Sequence, residues 1–304
     1  MLNYDIKLDG CEACPRNCKV NRNNGARGYC GESSVIMVAR AALHFWEEPC
    51  ISGKNGSGAV FFSGCPLRCV FCQNREIAIA KRGKEISLKR LVEIFFELKE
   101  KGANNINLVT PTHYVYQICE ALKAAKQQGL DIPVVYNTGS YEKVETLKLL
   151  EGLVDIYLPD MKYFDSKIAE RYSNAPDYFE VSKAAIDEML RQVGTPQFDS
   201  GGMIRKGVIV RHLVLPTHTL DSKKIIGYLY ERYGNDIFIS IMNQFTPPEN
   251  IDKTKFPELN RKITKREYDK VIDFAISIGV TNGFLQEGDT AKESFIPQFD
   301  LEGV

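Results

Sequence analysis

The sequence predicts an α/β fold, a partial (βα)6 TIM-like barrel preceded by a short cysteine-rich segment that binds metal. From Gly58 onward, short β-branched apolar runs alternate with stretches of helical periodicity, which is typical of a parallel sheet. The 304 residues leave room for six such units, whereas eight close a full barrel. A doubly wound open sheet is the alternative, and both folds place active-site loops at the C-terminal ends of strands.

Residues 1–56 are predicted to form a loop-rich segment, and residues 57–304 the barrel with a C-terminal helix. A segment this short and polar can hardly form a stable core without a cross-link such as a bound metal ion or a disulfide. It holds four cysteines: Cys11, Cys14, Cys18 and Cys30. Four thiols within twenty residues suffice for a closed zinc site or an auxiliary iron–sulfur cluster. A structural role such as zinc is slightly favoured, because a complete ligand set leaves no position open for chemistry, and electron relay through a cluster is the alternative.

The strands follow in order along the rest of the chain, each with the apolar, β-branched composition of a buried strand. Six are predicted, with a short seventh near Gly283–Gln286: Ala59–Ser63, Ile106–Thr110, Val134–Asn137, Asp155–Leu158, Val208–Leu215 and Ile237–Met242.

Helices are predicted between the strands from apolar residues at helical spacing and from their caps. The first has Ser87 as its N-cap, and the last begins with a capping box at Thr264–Glu267. The other predicted helices lie at Tyr114–Gln128, at Glu142–Leu150, in two pieces near Ser166–Ser173 and Ser182–Gln192, and from Asp221 onward.

A cysteine triad follows the first predicted strand with the spacing Cys65-x3-Cys69-x2-Cys72. Thiolates at such spacing select an iron–sulfur cluster or zinc. Three thiolates leave one iron of a four-iron cluster without a protein ligand, and an open position is what a catalytic centre needs. The alternative is a structural zinc site whose fourth ligand is Cys50, Cys119 or a histidine; otherwise these two cysteines are predicted to be free thiols.

The string Cys65-x3-Cys69-x-Phe71-Cys72 resembles the defining motif of the radical S-adenosylmethionine (radical SAM) superfamily. Residues 58–245 are similar to the activating enzymes of glycyl-radical enzymes, such as the pyruvate formate-lyase activating enzyme. The N-terminal cysteines resemble those of a less characterised branch of these proteins. The resemblance implies a [4Fe-4S] cluster whose open iron is chelated by S-adenosylmethionine (SAM). One electron then cleaves the sulfonium, and the 5′-deoxyadenosyl radical abstracts hydrogen from a target.

The resemblance also implies partners: an electron donor such as flavodoxin or ferredoxin, and a glycyl-radical protein as substrate. A second hypothesis keeps the radical chemistry but changes the target to a peptide, an RNA or a small metabolite. A non-enzymatic hypothesis is a zinc-rich interaction module in which both cysteine groups are structural.

Polar residues follow the predicted strands and are expected to converge on the triad. Thr110 stands where the family carries a Gly-Gly-Glu stretch, which this sequence lacks. Asp160 and Lys162 resemble the Asp-x-Lys pair of the activating enzymes, beside the SAM carboxylate and the peptide target. The predicted catalytic residues are Cys65, Cys69, Cys72 and Lys162, and the predicted SAM-binding residues are Phe71, Thr110, Asn137, Thr138, Asp160 and Arg211.

Arg211 and His212 are neighbours in an apolar strand, so alternation puts them on opposite faces. A buried guanidinium needs an anion, and for an inward Arg211 the SAM carboxylate is the natural one. The resemblance to the family, which carries an arginine in contact with SAM at this strand, implies that Arg211 faces the barrel interior. His212 is predicted to be a packed histidine on the other face.

The net charge and the apolar runs of the sequence limit where the protein can be located and which classes of partner it can bind. The 39 Lys and Arg residues balance 39 Asp and Glu residues, which argues against nucleic acid and anionic membranes as partners. The N-terminal residues offer no signal-peptide core, and the best apolar run, Val35–Trp46, is short and broken by Arg40. A cytoplasmic protein is predicted, and in a reducing compartment clustered cysteines are more often metal ligands than disulfides.

Overall fold

Strands and helices alternate along the chain in the α/β pattern. The structure, a computed structural model, describes residues 5–249, 251–286 and 297–304. Its strands within these ranges are β1 Ile36–His44, β2 Ser57–Phe62, β3 Lys84–Ile86, β4 Ile106–Val109, β5 Val134–Thr138, β6 Ile156–Pro159, β7 Gln197–Phe198, β8 Ile204–Leu213, β9 Phe238–Met242 and β10 Gly283–Leu285.

The five longest α-helices pack against one face of the sheet, and several of the other helices are single turns. They are α1 Asp5–Leu8, α2 Pro49–Ser52, α3 Arg75–Ala78, α4 Leu88–Glu100, α5 Val115–Gln127, α6 Val144–Leu147, α7 Ser166–Ser173, α8 Tyr178–Val193, α9 Thr219–Tyr233 and α10 Lys265–Ser277. Short 3₁₀ turns occupy Thr112–Tyr114, Lys148–Leu150 and Pro257–Leu259. No helix in the described ranges has both the length and the apolar character needed to cross a bilayer.

Seven parallel strands form the body of the sheet, in the spatial order β10, β9, β8, β6, β5, β4, β2. Each successive strand in the chain is added beside its predecessor, as expected for right-handed βα crossovers. The six predicted strands and the short seventh are therefore confirmed, and with them the α/β fold and the partial barrel.

Three strands were not predicted from the sequence. β1 pairs antiparallel with β2, β3 pairs antiparallel with the start of β1, and β7 pairs antiparallel with β8. β1 covers most of the Val35–Trp46 run, so part of the segment expected to be loop-rich belongs to the sheet. Arg40, the charge that interrupts this run, forms ion pairs with Asp300 and Glu302 near the end of the chain.

The predicted caps of the first and last long helices are present. Ser87 Oγ accepts a hydrogen bond from the amide of Arg90 at 3.1 Å, and Thr264 and Glu267 form a capping box. Leu91, Phe95 and Leu98 of α4 are buried against the sheet, each contributing roughly 1.5–3 kcal/mol relative to an exposed side chain.

The helix predicted to open at Asp221 begins two residues earlier, at Thr219. Asp221 is buried instead of capping the helix, and its carboxylate accepts hydrogen bonds from the amides of Phe164 and Asp165 at 3.0 and 2.9 Å. Asp221 therefore fixes the loop after β6, which carries two of the predicted site residues.

The N-terminal segment packs directly against the cysteine triad loop. Arg16 donates Nε to the carbonyl of Pro66 and Nη2 to that of Ser173, both at 2.7 Å. The amide of Cys65 donates to the carbonyl of Cys30 at 3.3 Å. Gly64 makes this approach possible: its φ is +87°, and a Cβ there would lie 2.9 Å from the Cys30 carbonyl oxygen.

Candidate active site

One cavity of about 500 Å³ opens at the C-terminal ends of the parallel strands. Seven strands laid flat would span roughly 30 Å, yet all seven, or the loops that follow them, contribute to this cavity. The sheet must therefore curve around it, as a partial barrel does. The lining residues relevant here are Glu47, Cys65, Cys69, Phe71, Cys72, Thr110, Asn137, Thr138, Asp160, Lys162 and Arg211.

The triad loop holds three free thiols at the cavity wall. The amide of Cys72 donates to the carbonyl of Cys69 at 3.1 Å, and Ser173 Oγ donates to Cys69 Sγ at 3.0 Å. Burial, followed by repulsion from the neighbouring thiols, raises the pKa of Cys65 to about 11 and that of Cys72 to about 12. Thiols in this environment ionise when a metal binds them, which is the behaviour expected of cluster ligands.

The triad fits a cluster with one open iron better than a single ion. No three His, Cys, Asp or Glu side chains in the described ranges are arranged to hold one metal ion. Among the alternative fourth ligands, a histidine, His44, lines the cavity. Cys50 and Cys119 are buried elsewhere, and Cys119 donates its thiol to the carbonyl of Leu149. Neither of these two cysteines is therefore placed to be a fourth ligand at the triad.

An ion-pair network crosses the cavity floor and centres on Arg211. The guanidinium donates to Asp160 Oδ1 at 2.9 Å, to Glu47 Oε2 at 2.8 Å and to Asn137 Oδ1 at 2.6 Å. Lys162 Nζ donates to the other Asp160 oxygen at 2.6 Å. The four charged side chains of this network are at most 19% exposed, and its two basic groups are paired with its two acidic groups.

The network determines the protonation of its members. Burial opposes the charge on Asp160, but Arg211 and Lys162 outweigh it and hold the pKa of Asp160 below its usual value. Burial also opposes the charge on Lys162, whereas Asp160 and Cys69 raise the pKa of Lys162 above its usual value. Asp160, Lys162 and Arg211 are therefore ionised at neutral pH, and Lys162 presents a cation beside the triad.

The remaining predicted site residues have different surroundings. Phe71 lies at the cavity wall and packs edge-on against Tyr163, Tyr172 and Phe245. Thr110 lines the cavity, and so does Thr138, whose hydroxyl is bonded to the buried carboxylate of Glu142.

Alternation in β8 is confirmed. Arg211 lines the cavity, while His212 is buried on the opposite face and its Nδ1 lies 2.7 Å from the Met161 carbonyl oxygen. His113 lies outside the cavity, in the 3₁₀ turn before α5, where its Nε2 is 2.6 Å from the Ser63 carbonyl oxygen.

Glu47 is the site residue that the sequence analysis missed. It follows β1 and accepts hydrogen bonds from Arg211, Asn137 and Asn107. The signal available in the sequence was the pair Glu47-Glu48 directly after an apolar run, but that run was not recognised as a strand.

Glu142 is a fully buried carboxyl group beside the cavity wall. Its Oε1 accepts hydrogen bonds from Thr112, at 2.6 Å, and from Thr138. No hydrogen-bond partner of Oε2 is found among the described residues. Burial, only partly opposed by the hydroxyl hydrogen bonds, raises the pKa of Glu142 from 4.5 to about 7.

This pKa predicts a pH dependence of stability. Between pH 4.5 and 7 an unfolded Glu142 loses its proton while the folded one keeps it, so the free energy of unfolding should fall with rising pH in that window. The loss amounts to about 3 kcal/mol and levels off above pH 7. Urea unfolding at pH 5 and pH 7.5 measures it, and Glu142→Gln should remove this component. An equal slope in the variant would contradict the assignment.

Comparison with known proteins identifies related sequences and structures. The Radical SAM superfamily matches residues 59–229. An uncharacterized protein of Methanocaldococcus jannaschii is 31% identical over 276 residues, covering 87% of this chain and 74% of the relative. The pyruvate formate-lyase-activating enzyme of Clostridium pasteurianum is 26% identical over 191 residues, covering 59% of this chain and 70% of that enzyme.

Among solved structures, Streptococcus suis SuiB bound to S-adenosylmethionine aligns with a TM-score of 0.49 and 17% identity. The alignment covers 75% of this chain and 49% of SuiB. The chain therefore spans about half the length of that protein.

Proposed function

Since the chain belongs to the radical SAM superfamily, whose members bind a [4Fe-4S] cluster and SAM, we propose that it activates a partner protein by removing hydrogen from a glycine Cα. The observation that carries the proposal is the triad of free thiols beside the Asp160–Lys162–Arg211 network in one cavity. The similarity to a pyruvate formate-lyase-activating enzyme supports the choice of target.

Cys65, Cys69 and Cys72 would hold the cluster. When bound there, the cluster and SAM would supply a one-electron reductive cleavage of the sulfonium and, through it, removal of a hydrogen atom from the target. The Ser173 hydroxyl bonded to Cys69 Sγ tunes this centre, because hydrogen bonds to ligand sulfur shift cluster potentials. Phe71 and its aromatic neighbours keep water from that side of the loop.

Lys162 is the residue best suited to receive the SAM carboxylate. The three donating nitrogens of Arg211 already bond to Asp160, Glu47 and Asn137, whereas Lys162 has a single described partner and lies on the triad side of the network. Arg211, first predicted to pair with that carboxylate, would instead orient Asp160 and Asn137, whose remaining polar atoms suit ribose hydroxyl groups.

The cavity rim offers a surface for a large substrate. Phe45 and Trp46 line the opening and are 49% and 53% exposed. Exposed apolar side chains at the mouth of a site are typical of contact with another protein. We therefore propose a protein loop as the target. The electron donor that we propose is a one-electron carrier of the flavodoxin or ferredoxin class, and the proposed location is the cytoplasm.

The experiment is anaerobic incubation of the loaded protein with SAM, a one-electron reductant and a co-purifying or genetically adjacent partner protein. 5′-Deoxyadenosine should form, and the partner should develop a glycyl-radical doublet in its electron paramagnetic resonance spectrum that changes with α-deuterated glycine. 5′-Deoxyadenosine formed with a radical or modification on a peptide, RNA or metabolite instead would reject glycine as target.

A further inference from the structure

We propose that Cys11, Cys14, Cys18 and Cys30 hold a second iron–sulfur cluster, directly beside the triad loop. The proposed reaction does not use these four thiols, and the inference does not depend on the identity of the target. The thiols lie near one another, they are not arranged to hold a single ion, and a buried cation lies against them.

Two of the thiols, Cys18 and Cys30, lie on either side of Gly28. A Cβ on Gly28 would lie 3.4 Å from Cys18 Sγ and 3.7 Å from Cys30 Sγ, so a side chain there would fill the space between the two sulfurs. Cys14 interacts electrostatically with both Cys11 and Cys30. All four thiols are free of disulfides, and three of them are buried. A loop segment without a regular element between α1 and β1 thus gathers four thiols in its interior.

The spacing of these thiols favours a cluster over zinc. Sulfurs bound to one zinc at about 2.3 Å would stand on the order of 4 Å apart. Nowhere in the described ranges do three Cys, His, Asp or Glu side chains form such a single-ion site. The same holds for the Cys65 triad, whose motif is that of a cluster-binding loop. Each thiolate of a four-iron cluster binds a different iron, so its sulfurs stand farther apart.

A buried cation lies against the thiols. Arg22 is 0% exposed, and it donates to the carbonyls of Ser33 and His113 and, at 3.8 Å, to Cys11 Sγ. The buried Glu32 interacts electrostatically with Arg22, but among the described residues no carboxylate lies within ion-pair distance of it. A buried guanidinium is costly without negative charge nearby, and metal-bound thiolates supply that charge.

Backbone donation to sulfur is a further feature of cluster sites. The amide of Tyr29 donates to Cys18 Sγ at 3.2 Å. Hydrogen bonds to the sulfurs are among the features that set the potentials of iron–sulfur clusters. Since the Cys65 amide bonds to the Cys30 carbonyl, ligands of the two centres touch through the backbone.

The test separates the two centres in the full-length protein. The triple variant Cys65→Ala/Cys69→Ala/Cys72→Ala leaves the N-terminal segment intact. After anaerobic reconstitution it should retain about four irons and four sulfides per chain, no stoichiometric zinc, and a broad absorption band near ~400 nm. The wild type should hold about twice that iron. A triple variant that contains zinc without iron, or no metal, overturns the proposal.

Two further variants, made in the background of the triple variant, show whether a change in iron content is specific to the N-terminal site. In the triple-variant background, Gly28→Val should remove most of the remaining iron because its side chain occupies the space between Cys18 and Cys30. The matched control Cys50→Ala/Cys119→Ala should leave the iron content unchanged. Unchanged iron in the Gly28→Val protein contradicts the proposed position. SAM binding to the triad centre is a separate readout, so this proposal and the proposed function can fail independently.

Discussion

Alanine at any one of Cys65, Cys69 or Cys72 should abolish cleavage of SAM. If each thiol is one of three protein ligands of the cluster, as proposed, its loss would leave a second iron without a protein ligand and destabilise the whole centre. Even outer partners of metal ligands typically account for 10–100-fold of affinity or activity, and loss of a ligand itself should exceed about 100-fold. The measurement is 5′-deoxyadenosine formed per chain by each reconstituted variant.

Cys50→Ala and Cys119→Ala are the matched controls, because both thiols are buried but lie outside the cavity. They should retain SAM cleavage close to that of the unsubstituted protein. Equal losses in the two sets of variants would mean that the triad is not the ligand set.

Arg211→Met should destabilise the protein by about 3–5 kcal/mol, the usual cost of removing one partner from a buried ion pair. Asp160 and Glu47 would lose a partner at 2.9 and 2.8 Å, and both are at least four-fifths buried. Urea unfolding of the variant measures this loss.

Two further variants distinguish lost charge compensation from lost packing. Arg211→Met/Glu47→Gln should recover part of the stability, because it also removes one of the uncompensated carboxylates. Arg232→Ala, which breaks an exposed pair with Asp187, should have no measurable effect. If Arg211→Met were as stable as the unsubstituted protein, the network would not be a structural element of the site.

The sequence predicted what local pattern determines. Alternating β-branched and helical segments identified the parallel strands, and the spacing of Cys65, Cys69 and Cys72 identified the triad. β1 was missed because all nine of its residues are at least partly buried, so its sequence lacks simple alternation. An interrupted apolar run does not by itself distinguish a strand from other buried segments.

Contacts between distant segments could not be predicted in the same way. Glu47 meets Arg211 only because β1 joins the same curved sheet, 164 residues earlier in the chain. Likewise, nothing in the spacing of the N-terminal cysteines indicates that Cys30 touches Cys65. Such contacts depend on the path of the whole sheet, whereas motif spacing reports only on neighbours in sequence.

The pairing of the last residues with β1 has a consequence for self-association. The amide of Ala41 donates to the Glu302 carbonyl, and the amide of Leu301 donates to the Ala39 carbonyl. Beyond the short β3, this stretch would otherwise present the unpaired backbone of an apolar border strand, which invites strands of other molecules to attach. By covering this edge of β1, Leu301 and Glu302 disfavour β-pairing between molecules and the aggregation that follows from it.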